Sequence, residues 1–260
     1  MVNSQPMKNR IHFLDELRGF DAFCMVFYHA FYILGAFFEQ EWAENLFYFF
    51  FPVQPLFAAI FIFVCGISCT LSRSNVKRGL ILLGVALGFT LVTAVIMPKM
   101  GFVECEIYFG IIHFLSASIL IYSLFSKKLL KMSPFVGIFL CIFLYAFTSG
   151  IGRGELAFGE LVKFNLPVEL YETDFLVPLG IYSPSFFSAD YFPLFPNIFF
   201  FFAGVFCGNY YAYKGCPEWC YPKRIPFFGF LGRNALIIYI VHMPAVFAVA
   251  YGIDFVINLF

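Results

Sequence analysis

The stretch LDELRGFDAFCMVFYHAFYILG at residues 14–35 begins with charges and becomes almost wholly apolar, yet a single imidazole, His29, lies eleven residues beyond Arg18. At 100° per residue Asp15, Arg18, Ala22, Met25 and His29 share one stripe, with Phe20, Phe23, Phe27, Phe31 and Leu34 on the opposite side. An ionisable group in hydrocarbon turns toward protein, so the polar stripe is expected to face inward and the phenylalanines to face lipid. Arg18 and His29 are separated by about 16 Å of helix rise. A guanidinium fork suits phosphate oxygens, and a neutral imidazole can take a proton from an attacking hydroxyl or amine. The pair therefore suits a polyanion held at one membrane face, with its reactive end reaching the histidine. Coenzyme A has that shape, phosphates at one end of a long thin arm and a thioester at the other. Acyl transfer is the chemistry to expect.

Other polar residues interrupt apolar runs in the same way. His113 stands in YFGIIHFLSAS with Ser116 on its face, Asp190 in SADYFPLFP, and His242 in GRNALIIYIVHMP. The histidines are expected toward the outer half of the membrane, with Arg18, Arg78 and Arg233 at the inner mouth. His29 is then the general base, His113 and Asp190 lie beside the acceptor, and the three arginines hold phosphates. Each residue also has a plainer reading. His29 can be interhelical glue, and Asp15 can pair with Arg10 or Arg18 at the boundary. Asp190 can cap the helix ahead of Pro193, His242 can satisfy carbonyls freed by Pro244, and Arg78 and Arg233 can be membrane-edge anchors.

These side chains need a bilayer to position them, and the composition supplies one. Of 260 residues 62% are hydrophobic and 12% charged, with 41 Phe, and the mean hydropathy is +0.86. A soluble domain is nearer half apolar and a quarter charged. Apolar runs at 13–37, 46–71, 76–97, 107–125, 134–148, 193–213 and 228–250 approach the roughly 20 residues that cross a bilayer. They are continuous rather than alternating, which favours helices over a barrel. The expected fold is an all-α polytopic bundle of about seven transmembrane helices. A cytoplasmic N-terminus puts most of the 16 Lys and Arg residues inside, leaving Lys99, Arg153 and Lys163 outside. That is the positive-inside pattern, and it places the C-terminus outside the cytoplasm. The formal net charge of zero hides the asymmetry and gives no sign of nucleic-acid binding. MVNSQPMKNR lacks an apolar core before a small-residue cleavage site, so no cleaved signal peptide is expected.

The chain reads as one integral-membrane domain over 1–260 in the cell membrane, with a homodimer among the admissible assemblies. The long connection at 150–189 is expected on the outside, as a lid over an outward-facing site or as a loop in the interface. Most of the eight cysteines fall in apolar helices, where Cys behaves as a small hydrophobe. Cys216 and Cys220 in CPEWC lie in an expected cytoplasmic loop, and no second Cys or His pair completes a zinc set. No metal is assigned.

The segments RIHFLDELRGFDAFCMVFYH, FIFVCGISCTLSR, FGIIHFLSA, DYFPLFPNIFFFFAGVFCG and FLGRNALIIYIVHMP resemble successive blocks of the transmembrane acyltransferase superfamily. Within it the chain is most similar to the heparan-α-glucosaminide N-acetyltransferase-type group and its small bacterial relatives. The resemblance runs in order from Arg10 to Pro244. It implies an acyltransferase that takes an acetyl or short acyl group from cytoplasmic acetyl-CoA or another acyl-CoA. The acceptor it implies is an amine or hydroxyl of an extracytoplasmic small molecule or glycan. Arg10, Asp15, Arg18, His29, His113, Asp190, Gly232, Arg233 and His242 match the group's motifs, and Asn234 and His242 are also expected to help hold the donor. One departure is that the family pattern has a histidine just beyond the first helix, whereas here none lies between His29 and His113. From the residues alone, a transporter or channel for a small organic anion is the alternative, since intramembrane charges also mark permeation paths.

Overall fold

The structure is a computed structural model that describes residues 10–101, 105–159 and 161–257. Of the described residues 72% are helical, and they fold as two compact units, one formed by residues 10–64 and 215–257 and the other by Cys65–Lys214.

The first unit is organised around α1, His12–Phe38. Asp15 in its first turn favours the helix dipole, and Glu39 ends it in the left-handed region at φ 52°, its N–H bonded to the Leu34 carbonyl. Gly35 lets α2, Glu41–Phe50, approach closely, because a Cβ there would stand 3.1 Å from Glu44 Cα. Helix α3 spans Gln54–Leu71. The short α9, Pro226–Arg233, and the long α10, Ala235–Ile257, complete the unit. The contact between α1 and α9 is backbone on backbone. A Cβ on Gly19 would lie 1.8 Å from the Phe228 carbonyl, and one on Gly232 would lie 1.8 Å from that of Asp15. Such small-residue crossings let membrane helices pack tightly where lipid offers no hydrophobic drive.

In the second unit α4, Asn75–Thr90, runs through a π-helical segment at Leu91–Ile96 into the single turn α5, Met97–Lys99. It packs on α6, Ile111–Leu129, where Leu120 lies against Gly79 and Ser116 Oγ donates to the Gly79 carbonyl at 3.0 Å. Helix α7, Pro134–Thr148, meets α8, Ile198–Lys214, with Gly137 over the Phe206 ring.

Two of the expected runs divide. The run at 46–71 divides into α2 and α3 at Phe51–Val53, where Pro52 and Pro55 each lack a backbone N–H for the helical ladder. The run at 228–250 divides at Asn234, whose Nδ2 bonds the Phe230 carbonyl and caps α9. Among the described residues five helices are long and apolar enough to cross a membrane: His12–Phe38, Gln54–Leu71, Asn75–Lys99, Pro134–Arg153 and Ala235–Val256. Helix α6 is diluted by serines and two terminal lysines, and α8 has 17 residues, about 26 Å of rise.

The 150–189 connection is folded. Strands β1, Glu155–Phe158, and β2, Val162–Asn165, pair antiparallel with Glu155 opposite Asn165. The Lys163 ammonium, 2.7 Å from the Glu155 carboxylate, holds that acid below its usual range. Tyr171 donates to the Ile151 carbonyl, Asp174 accepts from Ser183 N at 2.9 Å, and Tyr191 donates to the Val177 carbonyl at 2.7 Å.

Candidate active site

The charged end of α1 clasps α9. Buried Glu16 accepts from the backbone N–H groups of Arg224 and Ile225 at 2.7 and 2.9 Å, just ahead of α9's first residue. Arg18 Nη1 stands 3.5 Å from the Gly232 carbonyl at the other end of α9. The acid meets the positive end of the short helix and the base its negative end, which suits the dipole. Asp15 anchors the pattern, receiving Arg10 Nε at 2.6 Å and Arg18 Nη1 at 3.4 Å. Arg233 is exposed at the end of α9 and Asn234 follows it. Arg10, Asp15, Arg18, Arg233 and Asn234 therefore all lie where α1 meets α9.

Further along α1, His29 meets His242 of α10. Their rings are 5.0 Å apart between centroids, and His29 Nδ1 is 3.1 Å from His242 Nε2. The hydrogen-bond network assigns the tautomers. His242 Nδ1 faces the carbonyls of Tyr239 at 2.7 Å and Ile238 at 3.2 Å. Carbonyls only accept, so His242 Nδ1 carries the proton and its neutral Nε2 accepts. His29 must then donate from Nδ1, which leaves the lone pair of its Nε2 uncommitted by this pair. These carbonyls are not the one that Pro244 frees, which belongs to Ile240, four residues before it. The pairing with His29 was not part of the donor role first given to His242.

The phenylalanine side of α1 is less uniform than its spacing suggests. Phe20 and Phe23 pack edge-on against Phe228 of α9, and Phe31 stacks on Phe50 of α2. Phe20 and Phe27 nevertheless stay exposed. Helices α9 and α2 cover positions that the spacing of α1 alone turns toward lipid.

The remaining expected site residues belong to the other unit. His113 Nδ1 accepts from Gly110 N at 3.2 Å. Its Nε2 faces Thr90 Oγ1 at 3.0 Å, and that hydroxyl donates to the Ile107 carbonyl at 2.8 Å. Asp190 Oδ2 accepts from Ile111 N at 3.1 Å. It thus caps α6, a helix distant in sequence, rather than the one that follows it. Arg78 Nη1 lies near Asn75 Oδ1 and the Ser68 carbonyl.

Spacing overlooked three residues. Glu16 is on a different face from the stripe, and its role depends on a contact 208 residues away. Thr90 sits inside an apolar run and matters only through His113. Asp21 lies at the edge of the stripe and is 4% exposed. Its signal was available, as an acid deep in an apolar run. No disulfide joins any of the eight cysteines, and among the described residues no three His, Cys, Asp or Glu side chains gather as a metal set.

A family model described as heparan-alpha-glucosaminide N-acetyltransferase, catalytic, matches residues 10–244. No curated protein and no solved structure matches the chain.

Proposed function

Because the chain belongs to the heparan-alpha-glucosaminide N-acetyltransferase catalytic family and is a membrane acetyltransferase, we propose that it moves an acetyl group from cytoplasmic acetyl-CoA to an acceptor across the cell membrane. The acceptor is a sugar carrying the amine or hydroxyl that is acetylated. The N-terminus is cytoplasmic, and the 150–189 segment lies on the far side.

The observation that carries this reading is the His29–His242 pair. With Nδ1–H committed to His242, His29 offers Nε2 as the base. As the acceptor nitrogen or oxygen attacks the thioester carbonyl, its proton passes to His29 Nε2. The carbon–sulfur bond then breaks, and the same proton leaves with the CoA thiolate as the thiol. His242 orients the base and takes a stronger hydrogen bond as His29 becomes charged. It is a positioning residue.

Arg18, Arg233 and Asn234 are assigned to the donor phosphates. Arg18 stands about 16 Å of helix rise from His29, a length suited to the arm between phosphate and thioester. Arg78 keeps a donor assignment, and His113 and Asp190 an acceptor assignment, on the sequence alone. Acetyl-CoA should raise the melting temperature of the detergent-solubilised protein and be consumed when amino sugars are supplied. Absence of stabilisation by either CoA or acetyl-CoA would overturn the donor assignment and favour a transporter of small organic anions.

A further inference from the structure

Asp21 sits on α1 between the phosphate-assigned Arg18 and the base His29. Helix rise puts it about 4.5 Å from the first and about 12 Å from the second. It is buried, at 4% exposure, and neither carboxylate oxygen has a hydrogen-bond partner among the described residues. Its acidic neighbours are engaged, Asp15 by Arg10 and Arg18 and Glu16 by two backbone N–H groups. Arg18 is the charged group that acts on Asp21 electrostatically. A buried carboxylate without hydrogen bonds destabilises a fold, and an apolar side chain in its place would not. Its position says what could satisfy it.

We infer that Asp21 is the polar contact for the pantetheine arm of the donor, its carboxylate accepting an amide N–H or the hydroxyl of that arm between Arg18 and His29. This rests on the acetyl-CoA reading above. The arm is largely apolar but carries two amides and a hydroxyl. In a membrane-embedded path those donors need protein acceptors, because water is scarce and helix carbonyls are already committed to the helix. Among the described residues, the buried side-chain polar atoms without partners are His12 Nδ1, Ser118 Oγ and the two oxygens of Asp21. Only the Asp21 oxygens lie on α1 between Arg18 and His29. The acid also gives the donor site selectivity, since a nucleotide lacking the arm gains nothing from it.

The test compares CoA with 3′-phosphoadenosine 5′-diphosphate, which keeps the phosphates and lacks the arm, on wild type, Asp21→Leu, Asp21→Ala and Asp21→Asn. Binding is read by calorimetry and by ligand-induced melting shifts. Losing a hydrogen bond to a charged group should weaken CoA about ten- to a hundredfold in the Leu and Ala variants. Binding of the truncated nucleotide should not weaken. Asn keeps a carbonyl acceptor and should retain much of the CoA affinity. The ligand-free Leu variant should melt no lower than wild type. Equal losses for both ligands, no loss for either, or a lower melting temperature without selective loss of CoA would each overturn the role of Asp21. Should Asp21→Leu not fold, Asp21→Ala and Asp21→Asn decide by the same comparison. Wild-type protein that binds neither ligand would instead remove the donor reading, a different failure from wild type and Asp21→Leu binding CoA equally.

Discussion

Replacing His242 by phenylalanine separates the two roles open to that residue. In the resting protein His29 Nδ1 donates to His242 Nε2 at 3.1 Å, a neutral bond of about 1 kcal/mol net. When His29 Nε2 takes the acceptor's proton the same bond becomes charge-assisted, about 1.5–3 kcal/mol. Only the difference accelerates the reaction, because a bond equally strong in both states leaves the barrier unchanged. That difference, about 0.5–2 kcal/mol, converts to roughly a two- to thirtyfold fall in kcat. Steady-state kinetics with acetyl-CoA as the varied substrate would measure it, with KM and CoA affinity changing far less than kcat. His242→Gln should recover part of the rate, since its amide oxygen can reach the place of the ring Nε2 and accept from His29. An unchanged kcat with a strongly raised KM would refute the reasoning and return His242 to donor binding.

Two further predictions concern the framework. Glu16→Ala removes both hydrogen bonds at the start of α9 and should cost about 3 kcal/mol or more. Glu16→Gln, which keeps an acceptor oxygen, should cost less, and thermal melting in detergent reads both. For orientation, single cysteines in a cysteine-depleted background should be protected from an impermeant thiol reagent at position 77 and labelled in the 155–165 hairpin of intact cells. The reverse pattern would invert the topology and the donor side with it.

The α1 stripe was legible because Asp15, Arg18 and His29 repeat at helical spacing, and spacing alone shows that they share a face. What each one touches was not legible. The partner of His29 lies 213 residues away, so the imidazole pair depends on how α1 and α10 meet. Hydropathy over 228–250 cannot register that Asn234 caps a short helix, because the flanking residues stay apolar. Pro226 and the Gly-Arg-Asn sequence at 232–234 were the available signs of two helices. The β1–β2 hairpin escaped because each strand has only four residues, although Gly159, at positive φ, marks its turn. The plainer reading of Asp190 had it cap the following helix. It caps α6 because Gly110 has no side chain, leaving room for the carboxylate, which a Cβ there would meet at 2.2 Å.

The most direct measurement of the central claim is acetyl transfer by His29→Ala, taken together with its CoA affinity and melting temperature. With His29 as the base, turnover should fall about 10²- to 10⁴-fold. CoA binding and stability should stay near wild type, since the phosphate-assigned end of α1 lies about 16 Å away. Wild-type turnover in His29→Ala would contradict the account. So would a loss of stability that His29→Gln restores together with full activity, because then the ring serves packing and not proton transfer.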